Sequence, residues 1–341
     1  MTKRMGWLDT AKGIAILLMV AGHIPQIDLH PWRLMIFTFH MPLFFMAAGY
    51  TAKAELRWSS IKKSAARLLI PYLGAALIGA VWNLLHNSSL TAELLRVFWG
   101  SGTVGHYGPG RPLGGGDIPV LGAIWFLPCM FFGRLLFSGL LLAEKKWFPE
   151  KKAILPLAVL AFSACGYLIG QRYKLPLNVD IALYTMIFFY AGYCFRRTDG
   201  IEKSSVSLGL ILVAVWFLAF RLDGVELAAR IYGSFPRCIL TAAGAVAGSL
   251  LVFYASRELV ERCKPLERFL GYCGRNSMVI LLLHYLDGRV YDLNWFAPQL
   301  EQAGLPRLVQ GGILAVWDIA IYLLVCLAYT SAKQWLRKKR A

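Results

Sequence analysis

The sequence predicts an all-α polytopic membrane protein with about ten transmembrane helices and both termini cytoplasmic. Three observations carry that prediction. Hydrophobic residues make up 57% of the 341-residue chain and charged residues only 16%, with a mean hydropathy of +0.54. A soluble domain averages about 25% charged. The apolar residues also gather into segments near the ~20-residue length that crosses a hydrocarbon core about 30 Å thick. Finally, most of the 36 Lys and Arg residues fall in every second loop, and so on one face, as the positive-inside rule requires.

The predicted spans are 11–28, 32–52, 67–86, 119–142, 153–170, 177–196, 205–221, 236–256, 272–290 and 309–332. With a cytoplasmic N-terminus, basic clusters such as Lys62–Lys63–Arg67, Lys145–Lys146 and Arg337–Lys338–Lys339 share one face. An even span count then returns the C-terminus to that face, and omitting one span would invert every later loop. The 11 Trp and 15 Tyr residues suit interfacial belts. The chain reads as one integral membrane domain over residues 1–341, without a soluble module.

The net charge of +17 is accounted for by topology. No basic stripe interleaved with aromatics occurs, so no nucleic-acid partner is expected. The N-terminal segment is long, lacks a small-residue cleavage site and is followed at once by a second span, so it reads as a retained helix. The seven cysteines include no C-x-x-C pair and read as small core hydrophobes. No H-E-x-x-H or comparable metal spacing is present, and no metal is expected.

Within the spans, three of the six histidines stand out. At about 1.5 Å per residue, His23 lies about 16 Å beyond Lys12, His40 about 12 Å from the far end of its span, and His284 about 18 Å into the ninth span. All three are expected near mid-depth, each within a span. An ionisable side chain there is costly and marks a functional site. A neutral imidazole can take a hydroxyl proton at neutral pH, so His23 is the candidate general base. Asp9 lies about 21 Å away along the helix. The orienting partner of His23 is therefore expected from another helix, with His40 and Asp318 as candidates by depth.

Other elements add polar handles. Pro42 frees a carbonyl one turn earlier and favours a kink beside His40. Ala47, Ala48 and Gly49 permit close helix approach. Asn276 and Ser277 are placed to cap the helix of His284. Lys12, Lys63 and Arg67 share the cytoplasmic face, and Arg134 lies inside the fourth span. Arginine's planar fork suits phosphate. Residues 87–118 read as one longer loop, whose glycine-rich part at 101–116 is expected to be a flexible lid or an acceptor-facing loop. Two classes remain open from the residues alone: an enzyme handling a proton at the midplane, and a transporter of a small polar solute or lipid-linked precursor. The two halves show no clear internal repeat, which counts against the transporter.

Several stretches together resemble the acyltransferase-3 family of membrane O-acyltransferases, and more closely its fucose 4-O-acetylase-like branch. They are WLDTAKGIAILLMVAGH at 7–23, FHMPLFFMAAGY at 39–50, RLLIPY at 67–72, IWFLPCMF at 124–131 and RNSMVILLLH at 275–284. The resemblance implies an acyl group, usually acetyl from acetyl-CoA, carried from the cytoplasmic side to a carbohydrate hydroxyl in the bacterial cytoplasmic (inner) membrane. It implies a catalytic role for His23, and it places Lys12 where many members have Arg. Arg67 matches the second arginine of the family's R-x-x-R signature. The first position is Ser64 here, with Lys63 beside it. In this picture Lys12, Lys63, Arg67 and Arg134 serve the CoA phosphates, and Trp125 or another imidazole steadies the oxyanion.

Overall fold

The computed structural model describes residues 5–27, 31–102, 111–112, 119–222 and 235–339. In chain order its helices begin with α1 (Gly6–Gly22), α2 (Pro31–Phe37), α3 (His40–Tyr50), α4 (Trp58–Leu85) and α5 (Leu90–Trp99). The middle holds α6 (Phe126–Trp147), α7 (Ile154–Arg172), α8 (Val179–Tyr184), α9 (Met186–Arg197) and α10 (Val206–Leu222). The chain closes with α11 (Arg237–Arg262), α12 (Lys264–Arg275), α13 (Ser277–Leu286), α14 (Ala297–Gln302) and α15 (Arg307–Lys338). Two dipeptide strands, β1 (Arg111–Pro112) and β2 (Tyr173–Lys174), pair in parallel.

Among the described residues, five helices are long and apolar enough to cross a membrane: α4, α6 with its preceding turn, α7, α11 and α15. A sixth crossing forms if α8 and α9, bent by 48° at their junction, count as one. The segments expected at 11–28 and 205–221 are 17-residue helices, α1 and α10. Those expected at 32–52 and 272–290 are each broken in two, as α2–α3 and α12–α13. The 87–118 stretch, expected as loop, contains α5. Ser89 caps it by accepting from Ala92 N at 3.2 Å, and Gly100 ends it at φ 62°. A ten-residue amphipathic helix is too short for a span-length hydropathy signal. The glycine-rich part of the loop, 103–110 and 113–118, lies outside the described residues.

The α2–α3 break has a chemical cause. Pro42 carries no N–H for the Thr38 carbonyl, and its ring is tolerated only in the first turn of a helix, where α3 places it. Other polar groups at the break are bonded both within the segment and to neighbouring helices. Thr38 Oγ1 donates to Met35 O at 2.7 Å and accepts from Trp216 Nε1 of α10 at 2.8 Å. Ser249 Oγ of α11 lies 3.4 Å from Phe39 O. At the second break Asn276 occupies the N-cap position of α13, but its side chain donates backwards to Tyr272 O at 3.0 Å. The expected capping bond is therefore replaced by one to the preceding helix.

Helix α1 is the axis of the molecule, packed most extensively on α12 and also against α11, α3 and α15. Glycine makes that contact possible. A Cβ at Gly13 would overlap the Leu270 carbonyl, and one at Gly274 the Asp9 carbonyl. The same device joins α3 to α9, where Gly49 meets the Phe189 carbonyl and Gly192 the Met46 carbonyl. Small residues at membrane helix interfaces let backbones touch in this way. The outer helices expose large apolar side chains, such as Leu77 of α4, Leu160 of α7, Leu210 of α10 and Val316 of α15. Apolar surface on this scale suits lipid. All seven cysteines are free thiols; Cys129, Cys273 and Cys326 are buried as expected, whereas Cys165 is exposed on α7.

Candidate functional site

The three span histidines come together, at helix ends rather than in helix middles. His23 is the C-cap of α1, His40 is the first residue of α3, and His284 lies in the last turn of α13. The His23 and His284 rings are 5.0 Å apart, edge to face. Phe37 at the end of α2 packs between the other pair, 4.9 Å from the His23 ring and 4.8 Å from the His40 ring.

The orienting partner of His23 comes from its own helix, which corrects the expectation that it comes from another. The last carbonyls of a helix lack intrahelical donors. His23 N turns back to Val20 O at 3.1 Å, and the Met19 carbonyl instead takes the imidazole, with Nδ1 at 2.8 Å. A carbonyl only accepts, so Nδ1 carries the proton and Nε2 is the basic nitrogen. His40 repeats the arrangement at the end of α2, with Nδ1 3.0 Å from Ile36 O. Asp318, buried in α15, faces Asn294, whose Nδ2 donates to it at 3.4 Å.

A cavity of about 140 Å³ opens among His23, His40, Phe37, Trp125 and Arg33. Trp125 is buried, and Gly102 lies so close to its indole that a Cβ there would overlap the ring. Arg33 places its guanidinium 4.5 Å from the Phe37 ring centre. His284 completes the group behind His23, with its Nδ1 buried and without a hydrogen-bond partner. Beyond it lies Tyr322, 6.5 Å away ring to ring, whose hydroxyl donates to Asp287 Oδ2 at 2.6 Å.

A second cavity, about 300 Å³, lies toward the N-terminal end of α1. Lys12, Arg134 and Arg275 line it, against one carboxylate, Asp9, which sits 3.9 Å from the Lys12 ammonium. The two cavities share three lining residues, Met19, Met41 and Leu281. A third space of about 180 Å³ adjoins the cationic cavity at Ala48, Thr51 and Arg134, and Ser64 lines it. Arg134 is thus exposed to two cavities from the middle of a long helix, as an arginine inside a span must be if it faces no lipid.

The structure brings His23, His40, His284 and Trp125 to one end of this series, and Lys12 and Arg134 to the other. Lys63 and Arg67 of α4 are exposed, and neither lines the cationic cavity, to which α4 contributes Leu68. Arg67 is still near enough for its charge to be felt at Arg134. Sequence reasoning did not single out Arg275, although the stretch it opens at 275–284 stood out. Its signal was its place just before Asn276, where the apolar run breaks. Arg33 was also missed as a site residue, although an arginine on the face poor in basic residues was the cue.

A helical membrane protein whose histidine chamber adjoins a cation-lined cavity is the class that fold and site define. The acyltransferase domain family model matches residues 5–333, and the chain belongs to the acyltransferase-3 family. It is 28% identical over 232 residues to the nodulation protein NolL of Sinorhizobium fredii (strain NBRC 101917 / NGR234). That match covers 62% of this chain and 54% of the relative, so the chain spans about half of that protein's length. No solved structure matches.

Proposed function

We propose that the protein is a membrane O-acyltransferase that moves a short acyl group, acetyl from acetyl-CoA, onto a hydroxyl of a cell-surface or lipid-linked carbohydrate. The observation that carries this reading is the series of two adjoining cavities, cationic at one end and lined by histidine at the other. In the proposed topology about ten membrane-crossing segments, some of them broken helices, place both termini on the cytoplasmic face of the bacterial inner membrane. The cationic cavity then opens to the side where acyl-CoA is made.

Lys12, Arg134 and Arg275 supply the charge for the CoA phosphates, Arg134 and Arg275 through forks that suit phosphate oxygens. Arg67 and Lys63 add positive potential at the mouth and raise the local concentration of an anionic donor. The thioester reaches toward the chamber, and the acceptor hydroxyl enters from the opposite side. Its oxygen attacks the thioester carbonyl carbon while His23 Nε2 takes its proton. The C–S bond breaks, and the thiolate leaves with that proton as free CoA. The Met19 carbonyl holds the ring in the tautomer this requires, and stabilises the imidazolium that forms. Trp125 Nε1 serves the developing oxyanion. His284 packs His23 in place. The spacing of about 16 Å between Lys12 and His23 along α1 suits a donor whose charged head and reacting carbon are far apart.

The test uses the full chain in lipid nanodiscs with labelled acetyl-CoA and pools of glycan acceptors. Acceptor-dependent CoA release and labelled glycan are expected. Absence of release across all pools, with solute uptake intact in reconstituted vesicles, would favour the transporter instead.

A further inference from the structure

We infer that Met19, Met41 and Leu281 form an apolar septum that admits a short acyl tail to the histidine chamber and excludes longer ones. The inference rests on the acyltransferase reading above and names the donor class for the same site: CoA thioesters of two or three carbons. The three side chains are the ones common to both cavities, so they are the wall between them. They come from three helices, and each is tied to a histidine. Met19 precedes His23 by one turn and offers the carbonyl that orients it, Met41 follows His40, and Leu281 precedes His284 by three residues.

The chemistry of the collar fits its position. Met19 is 3% exposed, and Met41 and Leu281 are each 7%. None offers a hydrogen-bonding group of any strength, so a phosphate or an acceptor hydroxyl gains nothing from entering it. An uncharged thioester can. Methionine is unbranched and polarisable and yields to a guest by rotamer change alone. Behind the septum the walls are stiffer: Phe37 is wedged between two histidines and Trp125 is pinned against Gly102. The chamber, about 140 Å³, is less than half the volume of the cationic cavity at about 300 Å³. An acetyl methyl fits within it, and each added methylene presses on the septum side chains or on the stiff aromatic wall. One methylene too many in such a pocket is worth about 10–200-fold.

The experiment measures the binding of free CoA, acetyl-CoA and butyryl-CoA to the full chain in nanodiscs by thermal shift and calorimetry, so that no acceptor need be known. The wild type is expected to prefer acetyl-CoA over butyryl-CoA by about tenfold or more. Leu281→Ala and Met41→Ala are expected to bring the two within about threefold, the size of effect a removed methylene barrier gives. Affinity for free CoA should stay unchanged. Leu68→Ala, which trims only the cationic cavity, should leave the ratio at its wild-type value. If Leu281→Ala does not fold, Leu281→Val replaces it and a smaller change in the same direction is required. Equal binding of acetyl- and butyryl-CoA by the wild type overturns the inference, as does a ratio that moves equally in Leu68→Ala. Failure of free CoA to bind the wild type at all overturns the donor reading itself, which separates the two failures.

Discussion

The uninterrupted helices and the broken ones divide the labour of this protein. α4, α7, α11 and α15 run 19 residues or more and turn large apolar side chains outward. The α2–α3 and α12–α13 segments are split near their middles, and α1 stops at His23. Those broken elements contribute all three clustered histidines, Arg275 and the three septum residues. The difference has a physical basis. A continuous helix satisfies its own backbone and leaves only side chains for chemistry, whereas a helix end presents free carbonyls deep in the molecule. Here two such ends hold imidazoles in a defined tautomer, through Met19 and Ile36.

Substitutions in the broken elements, and at Arg134 where α6 faces the cationic cavity, should therefore damage chemistry, and those at outward-facing positions of the continuous helices should leave it alone. The largest expected effect is that of His23→Ala, which lowers acyl transfer by about 10²–10⁴-fold, the usual worth of a general base. Protein level and acyl-CoA binding should hold. Full turnover in that variant would remove His23 from the mechanism. Next comes Arg134→Ala, which raises the KM for acyl-CoA by about 10–100-fold if one charge-assisted bond of about 1.5–3 kcal/mol is lost. Lys63→Ala, on an exposed part of α4, should change it less than about threefold, as surface charges do. Steady-state kinetics over donor concentration decide between them.

A third pair of variants sharpens the comparison at the level of packing. Gly274→Leu forces α12 away from the Asp9 carbonyl of α1 and should destabilise the protein by about 1–3 kcal/mol or more. Gly74→Leu, on α4 where nothing lies within 4 Å of a built Cβ, should not. Thermal unfolding in detergent reports both. The smallest effect is expected at Glu93 of α5. Burial would raise its pKa, but hydrogen bonds from Arg96, Ser88 and Asn83 together hold it below the ordinary carboxylate value. Its contribution to stability is thus complete above that ordinary value and is lost as the pH falls through the depressed one. Glu93→Gln should be less stable than the parent at neutral pH and should lose less on acidification, measured by unfolding between pH 7 and pH 3.

Residue patterns made the ring of apolar helices legible, because hydropathy averages over a span and α4, α6, α7, α11 and α15 are uniform along theirs. The same averaging hid the breaks at Phe39 and Asn276, since a few residues of altered backbone do not change the mean. It also passed over α5, which is amphipathic and short. His23, His40 and His284 were legible as a group because ionisable residues are rare among apolar ones. Their tautomers were not, because depth along a helix says nothing of where that helix stops. Arg275 was not singled out, and only the fold placed it on the cationic cavity.

Composition and segment order determined by themselves that this chain is helical, many-spanned and carries a few imidazoles and cations within its apolar segments. The tertiary structure alone decided that α1 ends at His23, that Met19 O holds the ring, and that Met19, Met41 and Leu281 stand between a cationic cavity and a histidine chamber. The reason is that cavities are properties of faces that meet. Residues 19, 41 and 281 lie on three helices far apart in sequence. Glycines at 13 and 274 help those faces meet, by letting α1 and the helix before α13 approach to backbone contact.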